Sequence, residues 1–195
     1  MDNSITQTST QKVRTYKATN KRALRETKQT STGSGIVLLA DRSGSMAGDK
    51  MHYLRKALTD VWRPGLQAIA FDSDLWEIEH QDIPTLDATG TTQMWEALKE
   101  AWSRNPRHIV LMTDGEPDDR KQDILADVMV HREIKIDTVG IGNQGGHGYD
   151  PDFLKEIARI TGGKYHSVHE PIMLPTVLRG LLEEGSGQRE GVISL

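Results

Sequence analysis

The chain has 195 residues, enough for one domain with a tail, with 36% hydrophobic and 27% charged side chains and a net charge of −4, which gives no global case for nucleic-acid binding. It contains no cysteine, which excludes disulfide scaffolds, thiolate zinc sites, iron–sulfur clusters and cysteine nucleophiles. Its longest unbroken apolar run, Ile36 to Ala40, falls far short of the ~20 residues that span a bilayer, so no membrane partner is expected.

Charge is unevenly spread. Residues 1–33 carry seven Lys or Arg and two acids, a balance of +5, while the rest of the chain sums to −9. This segment is rich in Thr, Ser and Gln and poor in large apolar groups. It cannot bury enough surface to offset its ordering entropy, so a basic, flexible arm is predicted. A sharper reading makes residues 1–33 a contact for a partner or for nucleic acid. The first ten residues lack the apolar core of a secretory signal, and a cytoplasmic location is expected.

From Gly35 the pattern changes. Gly35 to Ala40 is a short apolar run closed by polar and glycine residues, the mark of a strand buried on both faces. Asp49 to Trp62 carries apolar residues at helical spacing, and Pro64-Gly65 stops it. Leu66 to Phe71 and Leu75 to Ile78 read as weaker strands around the polar turn Asp72-Ser73-Asp74. Thr92 to Trp102 reads as a helix with Trp95, Leu98 and Trp102 on one stripe. Arg107 to Met112 is a second buried-type strand. Asp118-Asp119 is expected to cap a helix running to about Val130. Ile134 to Val139 is a third strong strand. Asp150-Pro151 suits the cap and first position of a helix through Ile160, which Gly162-Gly163 ends. A short strand at Lys164 to Ser167 and a helix near Ile172 to Glu183 complete a domain over 34–184. Residues 185–195 read as a flexible tail. Strands alternating with helices predict an α/β fold, a Rossmann-like, doubly wound, mostly parallel central sheet flanked by helices.

In open sheets of this kind ligands bind outside the carboxyl ends of the strands. Asp41-Arg42-Ser43-Gly44-Ser45 follows the first strong strand. Thr113-Asp114-Gly115-Glu116 follows the second, and Thr89-Gly90-Thr91-Thr92 precedes a helix. All three loops offer carboxylate and hydroxyl oxygens. Hard divalent cations, Mg2+, Mn2+ or Ca2+, prefer such donors. In Asp41-x-Ser43-x-Ser45 alternate residues of an extended loop face one side, so their three oxygens can converge. Two hydroxyls and few carboxylates leave an ion's charge under-neutralised. Such an ion keeps waters or takes an acidic ligand from outside. Asp41 and Asp114 are expected to repel one another, with no counter-charge of their own.

The arrangement resembles the von Willebrand factor type A (VWA) domain and its metal-ion-dependent adhesion site (MIDAS). The family pattern is Asp-x-Ser-x-Ser after the first strand, a Thr before a central helix, and an Asp in a Thr-Asp-Gly loop after the fourth strand. The matching residues are Asp41, Ser43, Ser45, Thr92 and Asp114. Thr91 is the alternative to Thr92; the Ala97-Leu98 pair about five residues beyond favours Thr92. Val139-Gly140-Ile141-Gly142 and the stretch Phe153 to Tyr165 are also similar to the family, and the resemblance covers about residues 34–182. It implies a VWA fold and a binding module rather than an enzyme. The two Ser and the Thr would contact the metal, Mg2+ foremost, and the Asp residues would act directly or through water. A partner protein's Glu or Asp would complete the shell. Intracellular members of the family often act beside AAA+ ATPases or within larger assemblies.

Other motifs have plainer readings. Gly140 to Gly145 matches G-x-G-x-x-G, but the next helix signal comes only at Asp150, so no dinucleotide site is expected. His166 and His169 lack a third ligand for zinc. Glu116 and Asp118 read as solvated loop acids, and Trp62, Trp95 and Trp102 as core. The alternative function is a metal-dependent phosphoryl-transfer hydrolase similar to the haloacid dehalogenases, which also place an Asp after a first buried strand. Their second Asp falls here on Ser43, and no catalytic constellation is found.

Overall fold

The computed structural model describes residues 35–142 and 148–186. The expected arm at 1–33, the tail beyond Ser186 and the last positions of the glycine-rich motif at 140–145 lie outside the described residues. Six strands form one sheet: β1 (Ile36–Asp41), β2 (Gln67–Phe71), β3 (Leu75–Ile78), β4 (His108–Thr113), β5 (Lys135–Ile141) and β6 (Tyr165–Val168). Their order is β3-β2-β1-β4-β5-β6. Only β3 runs antiparallel to its neighbour; the other four pairings are parallel. The Asp72-Ser73-Asp74 turn makes that exception. The Asp72 carboxylate accepts the Asp74 N–H at 2.8 Å, an Asx-type turn that folds β3 back on β2.

Five helices cover the sheet: α1 (Asp49–Val61), α2 (Met94–Ser103), α3 (Lys121–Val130), α4 (Pro151–Thr161) and α5 (Leu174–Ser186). The pleat of β1 sorts its side chains between two cores. Ile36, Leu38 and Ala40 join Leu54 and Leu58 of α1 and Leu178 and Leu182 of α5. Val37 and Leu39 join Leu98 of α2, Ile124 of α3 and Ile157 of α4. Both faces of β1 are thereby buried, as its unbroken apolar run requires. Each fully covered Leu or Ile contributes roughly 1.5–3 kcal/mol. Among the described residues no helix is long and apolar enough to cross a membrane.

Two helix starts differ from expectation. Helix α2 begins at Met94 rather than Thr92, and α3 at Lys121 rather than at Asp118. Asp118 and Asp119 do not cap their own helix. Their carboxylates instead accept the N–H groups of Thr92 and Trp95, at 2.6 and 3.1 Å. Asp119 thereby satisfies an orphan donor in the first turn of α2, and Asp118 holds the loop residue just before its cap, Gln93. Helix α4 does start as expected, with Asp150 accepting from Asp152 and Phe153 and Pro151 in the first position. Helix α5 runs to Ser186, two residues past the expected domain limit at 184.

The chain leaves β1 towards β2 and β3 on one side, and leaves β4 towards β5 and β6 on the other. The carboxyl ends of β1 and β4 consequently border the point where the winding reverses, which is where open sheets of this kind place their ligand crevice.

Candidate metal centre

Asp41 is the last residue of β1, and Thr113 the last of β4; the two strands are hydrogen-bonded neighbours. The Asp41 carboxylate is fully buried. Its Oδ1 accepts the Ser43 N–H at 2.7 Å and its Oδ2 accepts the Thr113 hydroxyl at 2.6 Å. Burial pushes the Asp41 carboxyl up to about 6, against the hydrogen bonds from Thr113 and Ser43, and the nearby Asp114 pushes the same way.

From Ser43 a chain of hydroxyls crosses to the second loop. Ser43 Oγ lies 3.0 Å from Ser45 Oγ, and Ser45 Oγ donates to Asp114 Oδ1 at 2.8 Å. Ser45 has one proton and gives it to Asp114, so Ser43 is the donor in the first link. Asp114 is buried and Ser43 nearly so, while Ser45 faces solvent. Gly115 shows where the third loop sits. A Cβ placed on it would lie 3.7 Å from both Ser45 Oγ and Thr92 Oγ1. Thr92 is buried, whereas Thr91 is exposed and its hydroxyl lies 3.2 Å from Ser73 Oγ. Of the two threonines, Thr92 therefore has its hydroxyl beside Gly115, where the Ser45 hydroxyl also lies. Asp41, Ser43, Ser45, Thr92 and Asp114 all come to one edge of the sheet.

The donors are carboxylate and hydroxyl oxygens only, a set suited to a hard divalent cation. Among the described residues no three His, Cys, Asp or Glu side chains group to hold an ion. Any ion here would depend on the hydroxyls.

One expectation is corrected. Asp114 has a counter-charge of its own: Lys50 Nζ, from the first turn of α1, contacts Asp114 Oδ2 and donates to the Ser45 carbonyl at 3.0 Å. Sequence reasoning missed Lys50 because its partner lies 64 positions away. A signal was nevertheless present. A cation in the first turn faces the positive end of the helix dipole and needs an anion to hold it there. Glu116 is exposed, as expected, and Lys121 joins it to Asp150 at 2.8 and 2.7 Å.

Comparisons with known proteins bear on the family and the fold. A family model described as von Willebrand factor type A domain matches residues 57–167, more than half of the chain. The match takes in Thr92 and Asp114 but begins after Asp41, Ser43 and Ser45. The chain is 27% identical over 161 residues to von Willebrand factor A domain-containing protein 3A of Homo sapiens, covering 68% of this chain and 13% of that protein. It is 30% identical over 112 residues to protein 3B of the same name and organism, covering 51% and 8%. The chain thus spans a small part of the length of these relatives. Among solved structures, a von Willebrand factor type A protein from Catenulispora acidiphila superposes with a TM-score of 0.65 at 21% identity, covering 78% of this chain and 42% of that one. The SpRpn10 VWA domain superposes at 0.56 and 13%, covering 82% and 98%. At these identities the structural likeness concerns the fold.

Proposed function

The chain belongs to the von Willebrand factor type A domain family, and from that premise we propose that it is a protein-binding module that works through a divalent cation. Asp41, Ser43, Ser45, Thr92 and Asp114 would hold the ion, Mg2+ foremost, with Mn2+ or Ca2+ as substitutes. When bound, the ion supplies an electrophilic coordination position for an aspartate or glutamate of the partner. The observation that carries this reading is the continuous hydroxyl chain from Ser43 through Ser45 to Asp114, at the carboxyl edge where the winding reverses. Within it each residue has a separate task. Thr113 holds the Asp41 carboxylate in place, and the Asp41 carboxylate in turn fixes the Ser43 backbone. Asp118 positions Thr92 through its N–H. The alternative phosphoryl-transfer reading is less favoured, because Ser43 stands where the haloacid dehalogenase pattern has its second Asp.

The test pairs binding with stability. An ion that binds only the folded state at 100 times its Kd adds ~2.7 kcal/mol. For a chain of this size that raises Tm by about 5–11 °C. Ser43→Ala combined with Ser45→Ala removes two hydroxyls without changing the charge or the core. The double variant should melt lower in EDTA, because Asp114 loses the Ser45 hydroxyl, and should lose the further rise that Mg2+ gives wild type, so the Mg2+ shift and not the absolute Tm is the readout. Affinity capture in Mg2+ against EDTA then reads the partner. Capture that persists in EDTA and in the double variant would remove the crevice as the recognition surface and leave the basic segment 1–33 as the contact. A nucleic-acid partner on that segment would be lost steeply with salt.

A further inference from the structure

We infer that Lys50 is a tethered cation that competes with the divalent ion for Asp114, so that metal binding has to release this lysine from the crevice. The inference rests on the metal-site reading above and adds a residue and a regulatory consequence to it.

The geometry gives Lys50 a defined berth. Its ammonium bridges Asp114 Oδ2 and the Ser45 carbonyl, joining the two loops that carry candidate ligands. The other Asp114 oxygen takes the Ser45 hydroxyl, so both oxygens of this buried carboxylate are engaged. The lysine stem passes Gly142 at the end of β5. A Cβ there would stand 3.3 Å from Lys50 Cε, and the backbone adopts φ +85°, which strains any other residue. Gly142 thus leaves room for the side chain. The Lys50 side chain is 30% exposed, so it has a route out to solvent.

Charge makes the two states exclusive. A divalent ion bound at Asp114 would face an ammonium in direct contact with the same carboxylate. The repulsion is relieved by moving the flexible lysine, not the ion, because Asp114 and Asp41 are fixed in the core. In the metal-free state the lysine cancels part of the negative charge and holds the Ser45 loop against Asp114. Outside its berth, Lys50 sits at the unfavourable end of the α1 dipole and has every reason to return once the ion leaves. The site is thereby tuned to weaker, reversible metal binding with a formed metal-free state.

The experiment is Mn2+ binding to the full chain, with free Mn2+ read by electron paramagnetic resonance, for wild type, Lys50→Met and Lys50→Arg. Lys50→Met keeps the stem and removes the charge. It should bind Mn2+ at least about tenfold more tightly, equivalent to about 1.4 kcal/mol, and melt lower than wild type in EDTA. Lys50→Arg should bind like wild type. If wild type binds Mn2+ and Lys50→Met binds it no more tightly, the competition is overturned and the metal site stands. If neither binds, the metal-site reading fails and takes the inference with it. Wild-type protein gives an independent readout. Acylation of Lys50 by a succinimidyl ester, followed by mass spectrometry, should accelerate on saturation with Mg2+. An unchanged rate at saturation also overturns the release.

Discussion

Asp41→Asn tests how the fold tolerates its most deeply buried candidate ligand. The amide has the shape of the carboxylate without its charge. Its oxygen can keep the Ser43 N–H, held now at 2.7 Å, and its NH2 can face Thr113 Oγ1. Thr113 can then turn its own proton to the Gly115 carbonyl, 3.2 Å away. Burial has raised the Asp41 carboxyl from 3.8 to about 6. A shift of that size corresponds to about 3 kcal/mol lost to the folded state when the group is ionised. The sign follows from the direction. A folded-state value above the unfolded one favours folding below pH ~4, and the benefit disappears as pH rises through about 6. At pH 7.5 in EDTA the Asn variant should therefore be the more stable protein, by up to about 3 kcal/mol. That corresponds to about 6–12 °C in Tm. Its advantage should shrink as pH falls from 6.5 to 4, and Mg2+ should no longer raise its Tm. Paired melts across pH, with and without Mg2+, read all three. An Asn variant that melts below wild type at pH 7.5 in EDTA, or keeps the Mg2+ shift, would refute the reasoning.

Three further outcomes are expected. Thr92→Ala should lose most of the Mg2+ stabilisation and Thr91→Ala should keep it, because Thr92 is buried with its hydroxyl beside Gly115, as the Ser45 hydroxyl is, while Thr91 is exposed and set against Ser73; thermal melts in Mg2+ and EDTA compare them. Asp137 is pushed up by burial, yet hydrogen bonds from His108, Lys135 and the Lys164 N–H outweigh this and hold its carboxyl down at about 2. Its contribution of about 2 kcal/mol is present above pH ~4 and lost as pH falls through 2, so denaturant titrations should show the gap between wild type and Asp137→Asn closing over that window. Gly140→Ala should cost about 1–3 kcal/mol, since its Cβ would meet the ring of the fully buried Tyr149, whose hydroxyl is tied to Ser167; urea midpoints measure it.

Most of the fold was legible because its strongest elements are set locally. The runs at β1 and β4 are apolar at successive positions, and only a sheet covered on both faces buries them all. Asp150-Pro151 and Gly162-Gly163 mark both ends of α4 by the same local logic. The loops carrying Asp41, Ser43, Ser45 and Asp114 were legible because each follows such a strand. What escaped the sequence depends on partners far away in the chain. Asp118 and Asp119 look like caps for the helix that follows them, yet they serve α2, because the loops meet in space before α3 begins. The three short turns at Gly44–Met46, His80–Thr85 and Pro171–Met173 carry no period long enough to detect. Lys50 needed the approach of α1 to the β4 loop, which no local pattern contains.

The loops around the crevice are also braced by bonds that leave the candidate ligand hydroxyls out. Arg42 Nε lies 3.1 Å from Asp72 Oδ2, and its Nη2 donates to Thr89 Oγ1 at 2.7 Å. Thr89 passes its own proton to Asp72 at 2.8 Å, closing a triangle across three loops. Backbone links add to it: Thr89 N to the Arg42 carbonyl at 2.7 Å and Gly44 N to the Gly90 carbonyl at 3.1 Å. Arg42 also lies over the Trp76 ring of β3, 5.4 Å from its centroid. Arg42 sits between Asp41 and Ser43, so its side chain anchors the loop outward while its neighbours face the crevice. These links tie the three loops to one another without using any candidate ligand hydroxyl. With the frame held by the Arg42–Asp72–Thr89 triangle and the charge of Asp114 met by Lys50, a cation has little folding work left to do. Under the proposed function, the free energy left after Lys50 is displaced would go to presenting an open position to an incoming carboxylate. Chelation should then switch off recognition before it disturbs the fold, which is the behaviour a reversible binding module requires.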